Sequence, residues 1–281
     1  MNKKESHQKA TFPPIMQIIL LERPIDLPIT ELEQLLRDKI DNSNITVHGA
    51  ENASDGLIIM WNERPYTVLS IDQPVPSNTF DTALHTSYNL VNGEQLVSNH
   101  KAHLIISPGL SADDQLQAIF SALCVMTITD LLAQCATPLA FYWPCSDMLE
   151  DREQYAMTIS SAGKAMADFN DHGPIALYGL PIPYLTGIRF FSLEEKNKVG
   201  AVTQGLEALS GFEIQIDPFE CKPSEVAKHL YCMVGYVLAN GPIFVEGNTI
   251  GIEGSKPFSM RRIPANDSQP DVWAMKMETM N

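Results

Sequence analysis

Cys145 is the residue of this chain whose type and position best suit covalent chemistry. It follows Trp143-Pro144 at the end of a predicted strand and lies beside the start of a predicted helix. The N-terminus of a helix lowers the pKa of a thiol because it stabilises the thiolate. The residues that follow are rich in carboxylates, and their negative charge raises the thiol pKa again. We therefore expect Cys145 to be a small, half-buried residue at a turn, and the alternative is an enzyme that uses it as a nucleophile.

His100 and His103 form a closely spaced histidine pair and are the candidates for a metal site. They lie at the entrance of a predicted strand, where residues three apart face opposite sides of the sheet, so the pair does not converge on one ion. The chain also lacks the HExxH sequence and the paired cysteines that zinc sites use. We expect polar histidines at a sheet edge and no bound metal. An enzyme that uses the His100/His103 region is again the alternative.

The other catalytic motifs of the chain are incomplete. Ser111 lies between a predicted strand and a predicted helix but not in a G-x-S-x-G sequence, so we expect it to cap the helix. Gly163-Lys164 resembles part of a phosphate loop, yet Thr158 and Ala165 occupy the positions of the leading glycine and the magnesium-binding hydroxyl. Three glycines are spaced unlike a dinucleotide fingerprint and are typical of turns: Gly247, Gly251 and Gly254. The sequence thus predicts no catalytic residues and no cofactor, and it favours a protein that is not an enzyme.

The charge of the chain points to binding instead. The 34 acidic and 19 basic residues give a formal net charge of −15 and a pI of about 4.8. Such a surface repels nucleic acid and anionic membranes, and it either keeps the protein soluble or attracts a basic partner. A predicted helix that opens at Ser146 or Asp147 concentrates four carboxylates over two turns, next to an aromatic side chain that could anchor a partner. These residues are the partner-binding candidates: Trp143, Asp147, Glu150, Asp151 and Glu153.

Composition indicates a globular protein of the cytoplasm. The chain has 281 residues, of which 44% are hydrophobic and 19% are charged, and it is long enough to bury a sizeable core. No uninterrupted apolar run approaches the roughly 18 residues of a membrane helix, and the apolar segment 15–21 is too short for a secretory signal. The five cysteines lack CxxC pairing and are typical of reduced thiols: Cys124, Cys135, Cys145, Cys221 and Cys232.

The predicted elements indicate an α+β fold with mixed or antiparallel sheets and packed helices. Strands occur in runs as well as in alternation with helices, which is typical of this class. Two β-α-β-β-like halves that divide near Gly93 would account for the order of elements. The expected organisation is a flexible N-terminal tail (1–14), a first α/β half (15–92), a second α/β half (93–264) and a C-terminal tail (265–281). The last of these carries apolar residues and could dock on the body or on a partner.

The last third of the chain has the clearest local pattern. Phe212, Ile214 and Ile216 alternate with polar residues, which predicts a strand with one buried face. A helix is predicted from Pro223 to Asn240, because proline suits a helix start and the following Gly-Pro ends it. After the helix, the segments 243–245 and 249–252 are predicted to pair as a hairpin around a Glu-Gly-Asn turn.

This last third resembles a known family, the bacterial domain-of-unknown-function family 4261. The residues that carry the resemblance are Thr203, Gly205, Leu206, Glu207, Leu209, Glu213, Ile214, Gly241, Pro242, Gly247, Thr249, Ile250 and Gly251. The upstream segments 100–104 and 142–143 are similar to segments of longer members. The resemblance implies a fold unit of bacterial and cytoplasmic origin, and it brings no catalytic residues with it.

The sequence therefore favours an acidic, cytoplasmic, non-catalytic binding protein. Its most concrete form is an immunity-type protein that neutralises a basic bacterial toxin, since acidic inhibitors use such a surface for fast, steered association. One alternative is an enzyme of unrecognised type. Another is an adaptor or structural component of a bacterial secretion-related assembly. The function of the neighbouring gene would discriminate among the three.

Overall fold

A computed structural model describes residues 12–26, 29–40, 44–49, 56–87, 89–192, 198–251, 257–267 and 269–278. Most of the predicted N-terminal tail (1–14) lies outside these residues, but Phe12 is described and is buried. The α+β class predicted from the order of elements is confirmed, because the helices pack on two separate sheets.

The first sheet contains seven of the described strands. Their bounds are β1 (Gln17–Leu21), β2 (Ile45–Gly49), β3 (Gly56–Trp61), β4 (Arg64–Ile71), β5 (Ala102–Pro108), β6 (Pro138–Trp143) and β7 (Met148–Glu150). The spatial order is β2-β3-β4-β5-β1-β6-β7, and every pair is antiparallel. All five residues of β1 are buried, because this strand lies inside the sheet and both of its faces are covered.

The second sheet contains six described strands. They are β8 (Gly187–Ser192), β9 (Lys198–Gln204), β10 (Glu213–Glu220), β11 (Thr249–Ile250), β12 (Phe258–Ile263) and β13 (Val272–Met277), in the order β11-β12-β13-β10-β9-β8. β10 and β13 run parallel, and the other pairs are antiparallel. The predicted C-terminal tail (265–281) therefore contributes an inner strand to this sheet through residues 272–277.

The helices join the two sheets into one core. They are α1 (Ile29–Ile40), α2 (Asp81–Thr86), α3 (Gly93–Asn99), α4 (Gln115–Gln134), α5 (Arg152–His172), α6 (Ile182–Leu185), α7 (Glu207–Ser210) and α8 (Pro223–Asn240), with 3₁₀ turns at Ser77–Phe80 and Gly173–Gly179. α4 contacts β1 and β5 of the first sheet and also α7, while α8 covers β8, β9 and β10 of the second. One hydrophobic cluster runs through both sheets.

α4 is long and apolar enough to span a bilayer by length and composition, with a mean hydropathy of 1.8, but 67% of that stretch is buried inside the protein. This burial is what its position in the core requires.

The strands on the two sides of Gly93, where a division into halves was predicted, belong to one sheet. β5 follows that point and pairs with β4 and β1, which precede it. The sheets separate instead between β7 and β8, across the long helix α5. Sequence periodicity reveals each element but not its pairing partner, and this partner decides the boundary.

Two local predictions are wrong. The segment 243–245 is not a strand, and β11 pairs with β12 instead, so that Thr249 lies opposite Ser259. Ser111 does not cap α4, because the carboxylate of Asp114 accepts the backbone N–H of Gln117 at 2.8 Å. Aspartate three residues closer to the helix provides the oxygen that the first turn needs.

Candidate functional site

Cys145 lies in the turn that joins β6 to β7, not at the start of a helix. The predicted helix opening at Ser146 or Asp147 is wrong, since α5 begins only at Arg152. Burial raises the pKa of the Cys145 thiol to about 11, and the carboxylate of Glu213 acts in the same direction. The thiol is thus protonated at neutral pH, whereas a nucleophilic cysteine needs a lowered pKa.

His100 and His103 both hold the chain segment that follows β4. The backbone N–H of Val75 donates to His100 Nε2 at 2.8 Å, and the other ring nitrogen of His100 bonds the carbonyl oxygen of Val97. Both ring nitrogens of His100 are therefore occupied by backbone groups. His103 Nδ1 donates to the carbonyl oxygen of Gln73 at 2.8 Å. No group of three or more potential metal ligands occurs among the described residues.

Trp143 cannot anchor a partner from the position in which the structure places it. Its side chain is 1% exposed and packs against Tyr184, with ring centroids 5.7 Å apart. Trp143 ends β6, which lies between β1 and β7, and the side chain therefore faces the core. The sequence shows a large aromatic residue beside charge, but the burial of the last four residues of β6 depends on elements far away in the chain.

The four acidic candidates lie in four different environments rather than on one helix face. Asp147 adopts a left-handed conformation, accepts the hydroxyl of Tyr142 at 2.6 Å and pairs with Arg189 at 3.4 Å. Asp151 caps α5 by accepting the backbone N–H groups of Glu153 and Gln154, each at 2.9 Å. These contacts serve the local fold.

Glu150 and Glu153 differ in environment from Asp147 and Asp151 and also from each other. Burial raises the pKa of Glu150 to about 7, and its carboxylate accepts the Thr158 hydroxyl at 2.9 Å. Glu153 is exposed. The acidic run therefore offers a partner one exposed carboxylate, that of Glu153, and the aromatic residue expected beside it is buried.

A buried carboxylate that the sequence analysis did not single out lies in the second sheet. Glu213 Oε1 accepts the backbone N–H groups of Gly205 at 2.8 Å and Glu207 at 3.2 Å, while Oε2 accepts the hydroxyl of Thr203 at 2.5 Å. Burial raises the pKa of Glu213 to about 7. The alternation in the sequence placed Glu213 on a polar face, but this strand is covered on both faces at its start.

This carboxylate fixes the loop between β9 and α7 against the first sheet. Gly205 in that loop has φ +92°, and a Cβ at this position would lie 2.6 Å from the carbonyl oxygen of Cys145. Only glycine allows both the conformation and the close approach. Glu213, Gly205 and the turn at Cys145 thus join the two sheets, which is a structural role.

An apolar groove lies beside α8, with a volume of about 530 Å³. We define the groove by the residues that line it: Tyr178, Cys232, Met233 and Tyr236, the loop Ile243–Val245 (the end loop), the segment 248–251, and Met260. Volumes of this size are typical of ligand sites.

The helical wall of the groove depends on a glycine. A Cβ at Gly235 would lie 2.9 Å from the ring of Tyr178, so the ring can lie across α8 only because this position has no side chain. Tyr178 and Tyr236 nevertheless remain 46% and 38% exposed. Aromatic residues with one exposed face are enriched where proteins bind partners.

The end loop of the groove presents two aliphatic side chains to solvent. Gly241 and Gly247 bracket it with φ +81° and +82°, and the Gly247 N–H donates to the carbonyl oxygen of Met260 at 2.9 Å. Phe244 points inwards, with its ring 5.8 Å from Phe212 and 5.7 Å from Trp273. Its neighbours in the extended loop therefore point outwards, and Ile243 and Val245 are 41% and 55% exposed. Glycine at both ends of an apolar triplet was the sequence signal for such a loop.

The comparisons with known proteins bear on this part of the chain. Residues 202–278 match a family model described as a domain of unknown function (DUF4261). No match was found among curated proteins or among solved structures. The matched segment contains the Glu213 contacts and every wall of the groove except Tyr178. The resemblance read from the residues between Thr203 and Gly251 is thus confirmed as a match of residues 202–278 to this family model.

Proposed function

We propose that this chain is a non-catalytic protein-binding protein whose groove receives an apolar segment of a protein partner. The observation that carries this proposal is the groove itself. Four large apolar side chains surround a cavity of about 530 Å³ and are 38–55% exposed: Tyr178, Tyr236, Ile243 and Val245. A contiguous apolar surface costs free energy when it faces water, so its presence in a folded protein favours a binding role.

The charge of the chain selects the kind of partner. A net charge of −15 attracts basic proteins over a distance of about one Debye length, ~8 Å at physiological ionic strength, and accelerates their association. We therefore propose, as the concrete form, an immunity-type protein that neutralises a basic bacterial toxin. The groove would supply most of the affinity in this arrangement, and the surface charge would supply the association rate.

The environments of the candidate catalytic residues agree with a binding function. The Cys145 thiol has a raised pKa, and both ring nitrogens of His100 are bonded to the backbone. Neither group is prepared for nucleophilic or base catalysis in the state described.

A pair of matched double variants tests the proposal. The products of the neighbouring genes are purified and their binding to the chain is measured by surface plasmon resonance at two salt concentrations. Ile243→Ser with Val245→Ser removes the end wall of the groove. Ile58→Ser with Val91→Ser is the control, because it makes the same chemical changes at residues that are 45% and 71% exposed elsewhere.

We expect one neighbouring product to bind the parent and the control alike. The groove variant should bind it at least about tenfold more weakly, mainly through faster dissociation, as loss of apolar contacts at an interface centre predicts. Higher salt should slow association of all three proteins. In cells that produce the bound partner, the parent should restore growth. Equal binding by the groove variant and the control would refute a binding role for the groove.

A further inference from the structure

We propose that the segment which enters the groove is an extended peptide that pairs with β11 as an additional strand and inserts alternate apolar side chains between β11 and α8. This inference rests on the proposed function and names the chemistry of the partner. It is independent of whether the partner is a toxin.

Among the described residues, no strand pairs with β11 on the side away from β12. β11 is thus the last of the described strands of its sheet. The Met260 N–H donates to the carbonyl oxygen of Asn248 at 2.9 Å, and Thr249 lies opposite Ser259. Backbone groups of successive residues alternate sides in an antiparallel ladder, so the N–H and C=O of Thr249 point away from β12. Within the described part of the chain, no hydrogen bond satisfies either group outside the ladder.

The open backbone and the apolar groove belong to the same site. Thr249 and Ile250 of β11 line the groove together with Met233 and Tyr236 of α8. A peptide strand added to β11 would lie about 4.8 Å from it, and every second side chain would face the space in front of α8. This is the geometry of strand addition at a sheet edge, in which the main chain provides affinity and the groove selects side chains.

An extended peptide can use both the open backbone of β11 and the apolar groove, whereas a helical peptide can use only the groove. All backbone groups within a helix are bonded internally, so a bound helix would leave the N–H and C=O of Thr249 without a protein partner. A helix also needs a channel about 10 Å wide. The geometry therefore favours a peptide with large apolar residues at positions i and i+2.

Charge adds a second requirement to the peptide. Glu246 is exposed in the end loop of the groove, directly after Val245, and the chain as a whole carries a net charge of −15. Lysine or arginine next to the alternating apolar residues would be favourable at this end, whereas an acidic peptide would be repelled.

A random peptide library displayed on phage tests the pattern without knowledge of the partner. Selection on the parent, with removal of phage that also bind the Ile243→Ser, Val245→Ser variant, enriches peptides that require the groove. We expect apolar residues at alternate positions with flanking Lys or Arg. Apolar residues at i, i+3 and i+4, or no groove-dependent enrichment, would overturn the inference.

A variant of Thr249 tests the backbone pairing. Thr249→Pro removes the outward N–H, and proline is tolerated at such edge positions. Thr249→Val retains the N–H and is the matched control. By fluorescence polarisation, the selected peptide should bind Thr249→Val within about twofold of the parent and Thr249→Pro at least about tenfold more weakly. Equal binding to both variants would refute strand addition.

Two further measurements distinguish failure of the extended-peptide inference from failure of the proposed function. If Thr249→Pro does not fold, the same peptide with N-methyl groups at alternate amides replaces it, and one of the two methylation patterns should abolish binding to the parent. If partner binding requires Ile243 and Val245 but is unchanged by Thr249→Pro, the groove function stands and the extended peptide is wrong. If partner binding is unaffected by either change, the proposed function itself fails.

Discussion

Replacing Glu213 with glutamine should remove much of the pH dependence of folding stability while leaving the structure intact. The amide can satisfy every contact of the carboxylate. Its oxygen would accept the N–H groups of Gly205 and Glu207, and its NH₂ would donate to the Thr203 hydroxyl. That hydroxyl already accepts the N–H of Ile214 at 2.8 Å and could turn its own proton to the Ile214 carbonyl oxygen, 3.3 Å away.

The magnitude follows from the pKa of Glu213, which burial raises from 4.5 to about 7. Between these values the folded protein binds the proton and the unfolded chain does not. The stability that this group contributes is therefore complete below pH 4.5 and is lost as the pH rises through 7. The protonated fractions of Glu213 in the folded and unfolded states give the loss of folding stability between pH 5.5 and pH 8, which is about 2 kcal/mol. Glutamine has no such loss because it does not titrate.

Urea unfolding of the parent and the Glu213→Gln variant at pH 5.5 and pH 8 measures this effect. The stability of the variant relative to the parent should rise by about 2 kcal/mol across this interval. Glu150 also has a pKa of about 7, but it titrates in both proteins and cancels in the difference. Glu153→Gln, at an exposed carboxylate, is the control and should parallel the parent. Identical pH profiles for Glu213→Gln and the parent would refute a neutral, buried Glu213.

Two further predictions concern the core and the cysteines. Ile214 is fully buried in β10, and Ile214→Ala should lower the free energy of unfolding by roughly 2–4 kcal/mol, read from the urea midpoint; an unchanged midpoint would mean that the strand is assigned wrongly. Cys145→Ser should leave partner binding unchanged, and thiol labelling should modify the exposed Cys232 well before Cys145, whose pKa is raised to about 11; faster labelling of Cys145 would restore the enzyme hypothesis.

Local elements were predictable wherever side-chain pattern and end signals agree. The alternation of Phe212, Ile214 and Ile216 identified a strand with a buried face, and all three residues are buried. The helix predicted from Pro223 to Asn240 has those bounds in the structure. Both signals act within a few residues of the chain, and the same interactions form whatever the rest of the chain does.

The candidate site was not predictable in the same way. The acidic run after Trp143 was predicted to be an exposed helix face with an apolar anchor. Trp143 is instead buried in the first sheet, and α5 begins only after Asp151, which caps it. Alternation of apolar and polar residues indicates that a strand has two different faces, but it does not indicate whether the polar face is covered by other elements. Glu213 is buried for this reason, at the start of a strand that pairs with β13 from the end of the chain.

The groove depends on the same kind of long-range contact. Each of its walls has an ordinary local sequence, and the apolar loop at Ile243 reads equally well as a strand. Tyr178 reaches the groove only because the 3₁₀ turn packs on α8 at Gly235. The chain by itself determined its charge, its longer helices and most of its strands, since these follow from neighbouring residues. The tertiary structure decided which carboxylates are buried and which apolar side chains remain in water, because both depend on residues far apart in sequence.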